Sequence, residues 1–146
     1  MQAPHLSIAA ALIYNARHQL LLVRKAGTTA FMQAGGKLEA DERPLDTLCR
    51  ELHEELGLRI DAAQATYLGN FSAPAANEPG LEVVAELFAV PLDQAISARA
   101  EIAEARWVDL HDAEHLPLAP LTRDQVLPLA RQLLAARARA VGVRIP

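Results

Sequence analysis

Two apolar runs open the chain. Ser7 to Tyr14 (Ser-Ile-Ala-Ala-Ala-Leu-Ile-Tyr) is apolar at every position after the serine, which predicts a strand covered on both faces. Gln19 to Arg24 (Gln-Leu-Leu-Leu-Val-Arg) is a second run of the same kind, and the polar Asn15-Ala-Arg-His18 between them reads as a turn, so the pair predicts a hairpin. Gly27 to Ala34 has no clear period and predicts a loop ending at Gly35-Gly36, with a short extended or looped stretch from Lys37 to Glu42 behind it. At Pro44 the period changes to that of a helix. Leu45, Leu48, Cys49, Leu52 and Leu56 fall on one side, proline occupies the first helical position, Asp46 suits the positive end of the helix dipole, and Gly57 stands where a C-terminal glycine belongs. Arg43, at the N-cap, is a poor cap.

Beyond the helix, Thr66 to Phe71 predicts a strand, Ser72 to Gly80 a Pro- and Gly-containing loop, and Leu81 to Val90 a long strand stopped by Pro91. Ala105 to Leu110 predicts a short strand carrying the only tryptophan, Trp107. Leu121 to Arg139 predicts a second helix, rich in Ala and Leu, with Pro128 as a kink or early-turn residue. No repeat or linker interrupts the series. The expected architecture is a single α/β domain over residues 1–146, a mixed sheet between two helices, because each helix has an apolar face to bury.

Composition narrows the classes. Half of the 146 residues are apolar and only six are aromatic, so the core is aliphatic. A formal charge of −4 gives no basic footprint for duplex nucleic acid. The single cysteine, Cys49, excludes an internal disulfide and suits a reducing compartment. With neither a signal-like N-terminus nor an apolar run of about 18 residues, the expected location is cytoplasmic, away from membranes.

The first helix carries the chemistry. At 3.6 residues per turn, Glu51, Glu54 and Glu55 share one face, spanning an arc of about 100° beside the leucine stripe. Like charges so placed repel by a few tenths of a kcal/mol per pair, whereas a hard divalent cation makes the same crowding favourable. A solvated acidic face is the ordinary alternative, and the cluster by itself does not exclude it.

Its surroundings do more. From Gly36 the chain runs Gly-x₅-Glu42-x₇-Arg50-Glu51-Leu52-x-Glu54-Glu55-x-Gly57-Leu58, and this stretch of 23 residues resembles the Nudix hydrolase signature at every fixed position. The resemblance implies a Nudix-type α/β/α sandwich and a Mg²⁺- or Mn²⁺-dependent pyrophosphohydrolase. Its substrate would be a nucleoside diphosphate linked to another moiety, X, such as a modified nucleoside triphosphate or ADP-ribose, and its service the housecleaning of nucleotide pools. It implies Glu54 and Glu55 as the foremost metal ligands, with Glu51 a further ligand or the base that orients a water, and a Gly36 carbonyl contributed by the loop. Arg50 is expected to brace a carboxylate, Glu42 for preference, by bidentate hydrogen bonds. Glu54 also counts among the expected catalytic residues, with Glu51 and Arg50. A downstream glutamate assists in many family members; Glu101 and Glu104 are the candidates, Glu104 favoured because it stands three residues before Trp107 at the mouth of the predicted strand.

Where many relatives have glycine before the second fixed position, this chain has Asp41, a residue that tolerates turn conformations. The expected substrate-binding residues are Phe31, placed to stack on a base, with Gly35, Gly36 and Lys37. The Ser72 to Gly80 loop is expected to border the cleft, and its Pro74 offers a weak pointer toward ADP-ribose-cleaving relatives. His111 and His115, four apart, lie in an irregular stretch and are not expected to bind zinc. A homodimer is a further expectation from the resemblance. The competing reading is a Nudix fold that has lost catalysis and serves as a nucleotide sensor or protein-binding module, but all acidic positions of the motif are intact.

Overall fold

The computed structural model describes residues 4–140. Seven strands form one mixed sheet: β1 (His5–Tyr14), β2 (Gln19–Lys25), β3 (Phe31–Met32), β4 (Ala34–Lys37), β5 (Thr66–Pro74), β6 (Glu82–Pro91) and β7 (Ile102–Asp109). Helix α1 is Pro44–Leu56, α2 is Leu110–Ala113 and α3 is Leu127–Ala140. Strand β1 pairs in parallel with β6 along its whole length, from His5 opposite Glu82 to Tyr14 opposite Pro91, and β5 pairs antiparallel with β6.

The apolar runs explain why the sheet is covered twice. Successive side chains of a strand point to opposite faces. Ala9, Ala11, Ile13, Leu21 and Val23 therefore join Leu48, Leu52 and Leu56 of α1 in one core, while Ala10, Leu12, Leu20 and Leu22 join Leu127, Ala130 and Leu134 of α3 in the other. This is the α/β/α sandwich expected from the sequence. The predicted hairpin is present but pinned only at its base, with Tyr14 opposite Leu20. Beyond that point β2 leaves to pair with β7, and β4 takes its place beside β1, Ile8 to Ala11 opposite Lys37 to Ala34.

Helix α1 ends as the sequence indicates. Gly57 is left-handed (φ 68°), its N–H reaches the His53 carbonyl at 3.0 Å, and the Leu58 N–H reaches the Leu52 carbonyl at 3.2 Å while the Leu58 side chain is fully buried. That is a Schellman closure with its apolar contact, and it accounts for the Gly-Leu that ends the motif. Asp41 is also left-handed (φ 65°), in the turn where Glu42 N–H bonds the Glu39 carbonyl. The aspartate therefore adopts a conformation that glycine would adopt more cheaply.

Four stretches differ from expectation. The Gly27–Ala34 loop contains β3, and the glycine pair is strand rather than loop end, because β1 offers the pairing edge that the departing β2 vacates. Strands β5 and β7 are longer than predicted, reaching Pro74 and starting at Ile102. The second helix is already turning at residues 120–121 and widens into a π-turn at Thr122–Val126, where the Leu127 N–H bonds the Thr122 carbonyl five residues back. Pro128 supplies the reason: it has no N–H for the Asp124 carbonyl and its ring would collide with it in a regular α-helix, and the wider turn relieves both.

The glycine pair also generates a stability prediction. A Cβ on Gly35 (φ 151°) would strike the carbonyl oxygen of Ala9 and the Cα of Ala10, both backbone. Gly35→Ala is expected to lower the free energy of unfolding by roughly 3 kcal/mol in urea titrations. Gly80→Ala, at φ 81° with nothing within 4 Å, is expected to cost only about 1 kcal/mol; equal losses would show that crowding at β4 is not what requires glycine.

Candidate active site

Two segments deliver three carboxylates to one place, and a strand braces one of them. Helix α1 carries Glu51 and Glu55 one turn apart. Strand β4 lies against that turn, and the Gly35 N–H donates to Glu55 Oε1 at 2.9 Å. The segment before β7 brings Glu101. There the Ser97 and Arg99 N–H groups bond the last carbonyls of α1, Leu56 and Glu55, at 3.2 and 2.8 Å, and the Ala26 N–H holds the Glu101 carbonyl at 2.8 Å. Glu51, Glu55 and Glu101 each offer an oxygen within 4.8 Å of the others. A Cβ on Gly36 would meet the Glu51 carboxyl, so the second glycine makes room for the helix's acids.

The electrostatics favour an added cation. Glu55 is 1% exposed, and burial pushes its carboxyl up to about 8, with Glu101 and Glu51 adding repulsion against the one favourable backbone hydrogen bond. Burial also raises Glu51, though Arg50 opposes the shift. Carboxylates kept this close and this dry are compatible with full ionisation only when a positive charge lies among them. Three oxygen donors with a buried, proton-retaining member fit a hard divalent ion.

Arg50 joins two halves of the motif. Its Nε and Nη2 donate to the two Glu42 oxygens at 2.8 and 2.9 Å, the bidentate pair expected from the sequence, while Nη1 donates to Glu51 Oε1 at 2.8 Å and Nη2 to the Lys37 carbonyl at 3.3 Å. Glu42 also accepts from the buried Thr47 hydroxyl at 2.7 Å. Arg50 and then Thr47 hold the Glu42 carboxyl down at about 2. Thr47 was not singled out from the sequence; its signal is a hydroxyl in the first turn of a helix preceded closely by an acid.

A cleft of about 590 Å³ opens over this constellation, lined among others by Gly35, Gly36, Lys37, Glu51, Glu55, Glu101 and the Ala75–Glu78 segment, which places the expected loop at its border. Other sequence candidates lie elsewhere. Glu54 is half exposed, 3.6 Å from Arg50 Nη1 and outside the close trio. Glu104 faces Arg24 across the β2–β7 pair at 3.4 Å and Arg106 at 3.6 Å. The preference for Glu104 assumed a strand starting at Ala105. It starts at Ile102, so the residue at its mouth is Glu101. Phe31, expected to stack on a base, is instead buried in the α3-side core, because β3 turns it inward, and it does not line the cleft. His111 and His115 meet edge to face, and neither belongs to a metal-type cluster among the described residues.

Comparison with known proteins agrees with this arrangement. The model of the NUDIX domain matches residues 3–130. An uncharacterized Nudix hydrolase of Pseudomonas aeruginosa is 32% identical over 120 residues, 75% of this chain and 68% of that protein. An octanoyltransferase of Myxococcus xanthus is 38% identical over 106 residues, 70% of this chain, but the chain spans only 29% of that protein's length. Among solved structures, a MutT protein from Methanosarcina mazei Go1 superposes with a TM-score of 0.74 at 21% identity, covering 91% of this chain and 97% of that one. The Nudix domain of Shewanella oneidensis NrtR, solved with ADP ribose, gives 0.73 at 21% identity, covering 92% and 90%. The two structural likenesses are of fold, whereas the domain match and the Pseudomonas relative are of sequence, and together with the intact motif they lead to one assignment: the chain belongs to the Nudix hydrolase family.

Proposed function

We propose that the chain hydrolyses a pyrophosphate bond in a nucleoside diphosphate linked to another moiety, using Mg²⁺ or Mn²⁺. The observation that carries this reading is the trio Glu51, Glu55 and Glu101 around one point of the cleft, with Glu55 too deeply buried to stay ionised alone. These residues would hold the cation, joined by the Gly36 carbonyl and, at the solvent edge, by Glu54. When bound, the cation neutralises phosphate charge and acidifies a water.

The chain's own groups do the rest. Arg50 fixes the Glu51 carboxylate and, through Glu42 and the Lys37 carbonyl, locks the loop that ends β4 to the helix. Lys25 and Lys37 bring positive charge to the cleft, suited to the substrate's phosphates. Water attacks phosphorus, the new P–O bond forming as the anhydride P–O bond breaks. Glu101, the exposed member of the trio, receives the proton. The NrtR domain's ADP ribose is a precedent on this fold for a ligand of the proposed class; ADP-ribose-like compounds and modified nucleoside triphosphates are the substrates to try.

On a panel of such compounds, with Mg²⁺ or Mn²⁺, the chain is expected to release a nucleoside monophosphate, together with pyrophosphate from a triphosphate or ribose phosphate from ADP-ribose, and to stop on chelation. Glu55→Gln and Glu54→Gln are each expected to lower kcat about 100-fold or more. Full activity in the Glu55 variant would sink the metal reading, and nucleotide binding without turnover by the wild type would mark a sensor.

Two carboxylates predict opposite pH responses of the cation-free chain. Glu55 keeps its proton to about pH 8 when folded but only to about 4.5 when unfolded, so the folded state binds the extra proton and stability falls as pH rises across that window. Glu42 titrates at about 2 when folded, so its contribution is complete above about 4.5 and is lost as pH falls toward 2. Thermal melts are expected to show the first slope flattened by Glu55→Gln and by added Mn²⁺, and the second flattened by Arg50→Lys, which cannot form the fork. An Mn²⁺-independent slope between pH 5 and 8 would contradict the assignment of Glu55.

A further inference from the structure

The backbone is irregular on both sides of Glu101, the acid that the long-range fold brings to the trio. On its C-terminal side β7 carries a bulge. Arg24 stands opposite Glu104 but Lys25 opposite Ile102, so Ala103 is an extra residue in the ladder. The slip changes the parity of the strand: Ile102 joins Ala105 and Trp107 in the α1-side core, where regular alternation would have placed Ala103. On its N-terminal side Ala100 is left-handed (φ 53°), in a turn closed by the Ile102 N–H on the Arg99 carbonyl at 3.0 Å. Positive φ at the first central position of a turn is glycine's conformation, and an alanine there is strained. Such irregularities persist where their surroundings over-determine them, and they gather at functional sites.

Here the surroundings are the end of α1. Ile96 packs against the α1-side core, the Ser97 N–H bonds the Leu56 carbonyl, and the Arg99 N–H bonds the carbonyl of Glu55 at 2.8 Å. Glu101 follows two residues later. The backbone of one trio member is thus tied to the next through a single tight turn. The Arg99 side chain adds a further hold. A Cβ on Gly57 would lie 2.6 Å from its Cζ and 2.8 Å from its Nη2, so the guanidinium lies against that glycine, at the negative end of the helix dipole. Glu101 lines the cleft and Arg99 does not, which places the arginine to act on the turn rather than on a ligand.

We propose that Arg99 and Ala100 are positioning residues for Glu101: the guanidinium seats residues 97–100 on the end of α1, and the left-handed alanine aims the carboxylate that follows at Glu51 and Glu55. The inference rests on the divalent-cation reading of the trio and concerns what holds its third member in place. Seating and bare charge predict opposite signs. A cation near three acids competes with a metal ion, so removing Arg99 as a mere charge would tighten metal binding, whereas removing it as the seat of Glu101 loosens it.

Calorimetric titration of the chain with Mn²⁺ alone tests this. Both residues are exposed, so no substitution opens a cavity. Arg99→Met, which keeps the stem and loses the charge, is expected to weaken Mn²⁺ about threefold, and Arg99→Lys to restore most of that loss. Ala100→Val, whose branched side chain resists positive φ, is expected to weaken it about tenfold, and Ala100→Gly to bind at least as tightly as the wild type. Both losses are expected to vanish in a Glu101→Gln background, which has no carboxylate left to aim. The inference is overturned by an Arg99→Met variant that binds Mn²⁺ as tightly as the wild type or more so, by an Ala100→Val variant of unchanged affinity, or by losses that persist undiminished beside Glu101→Gln. A wild type that binds no Mn²⁺ removes the metal reading and this inference together. Coupled Mn²⁺ binding without hydrolysis of any nucleotide would instead remove the catalytic reading and leave the roles of Arg99 and Ala100 standing.

Discussion

The hydrogen bond from the Gly35 N–H to Glu55 joins the sheet to the first helix at the point where the chemistry is concentrated, and much of the molecule is arranged to permit it. For that bond to form, β4 must lie within side-chain reach of α1, which only glycine allows at Gly35 and which glycine at Gly36 permits without displacing Glu51. At the first, any Cβ would strike β1, and at the second it would strike Glu51. For β4 to lie there at all, β2 must leave β1 after a single pairing, and it does so because β7 offers it a longer partner. The small side chains Ala9 and Ala11, on the same face of β1 as α1, keep the helix close.

The cost of this closeness is electrostatic. Glu55 lies only about 20° around the helix from Leu48, so it borders the apolar stripe and is drawn under with it. The result is a carboxyl that prefers its proton, beside two more acids. Arg50 relieves part of the strain at Glu51 and none at Glu55, since its guanidinium is occupied by Glu42, Glu51 and the Lys37 carbonyl. The arginine therefore organises the loop and the ligand shell without cancelling the charge at their centre. A site that is braced but left net negative is the state a divalent ion completes.

The second helix shows a quieter version of the same economy. Pro128 disrupts the regular helix, the chain widens into a π-turn, and the displaced turn presents Thr122 to Gln33 across the α3-side core. A backbone irregularity on one layer thus orients an amide on the sheet, on the face opposite the carboxylates.

The sequence by itself determined whatever repeats within a few residues of its own position. The continuous apolar runs required a sheet covered on both faces. Pro44, the leucine stripe and Gly57-Leu58 bounded α1, and the spacing from Gly36 to Leu58 identified the family. It also paired Arg50 with Glu42. Tertiary structure decided what depends on elements distant in the chain. It selected Glu101 for the acidic trio because strand β7 begins three residues earlier than its periodicity suggests, and the bonds from Ser97 and Arg99 to the end of α1 are invisible to any local pattern. It withdrew Phe31 into the core, because β3 is a strand only by virtue of its neighbours. It also set Glu54 and Glu55, adjacent in sequence, on opposite sides of the solvent boundary. Helical spacing fixes an angle about an axis, and whether that angle points to water or into a core is decided by what packs against the helix.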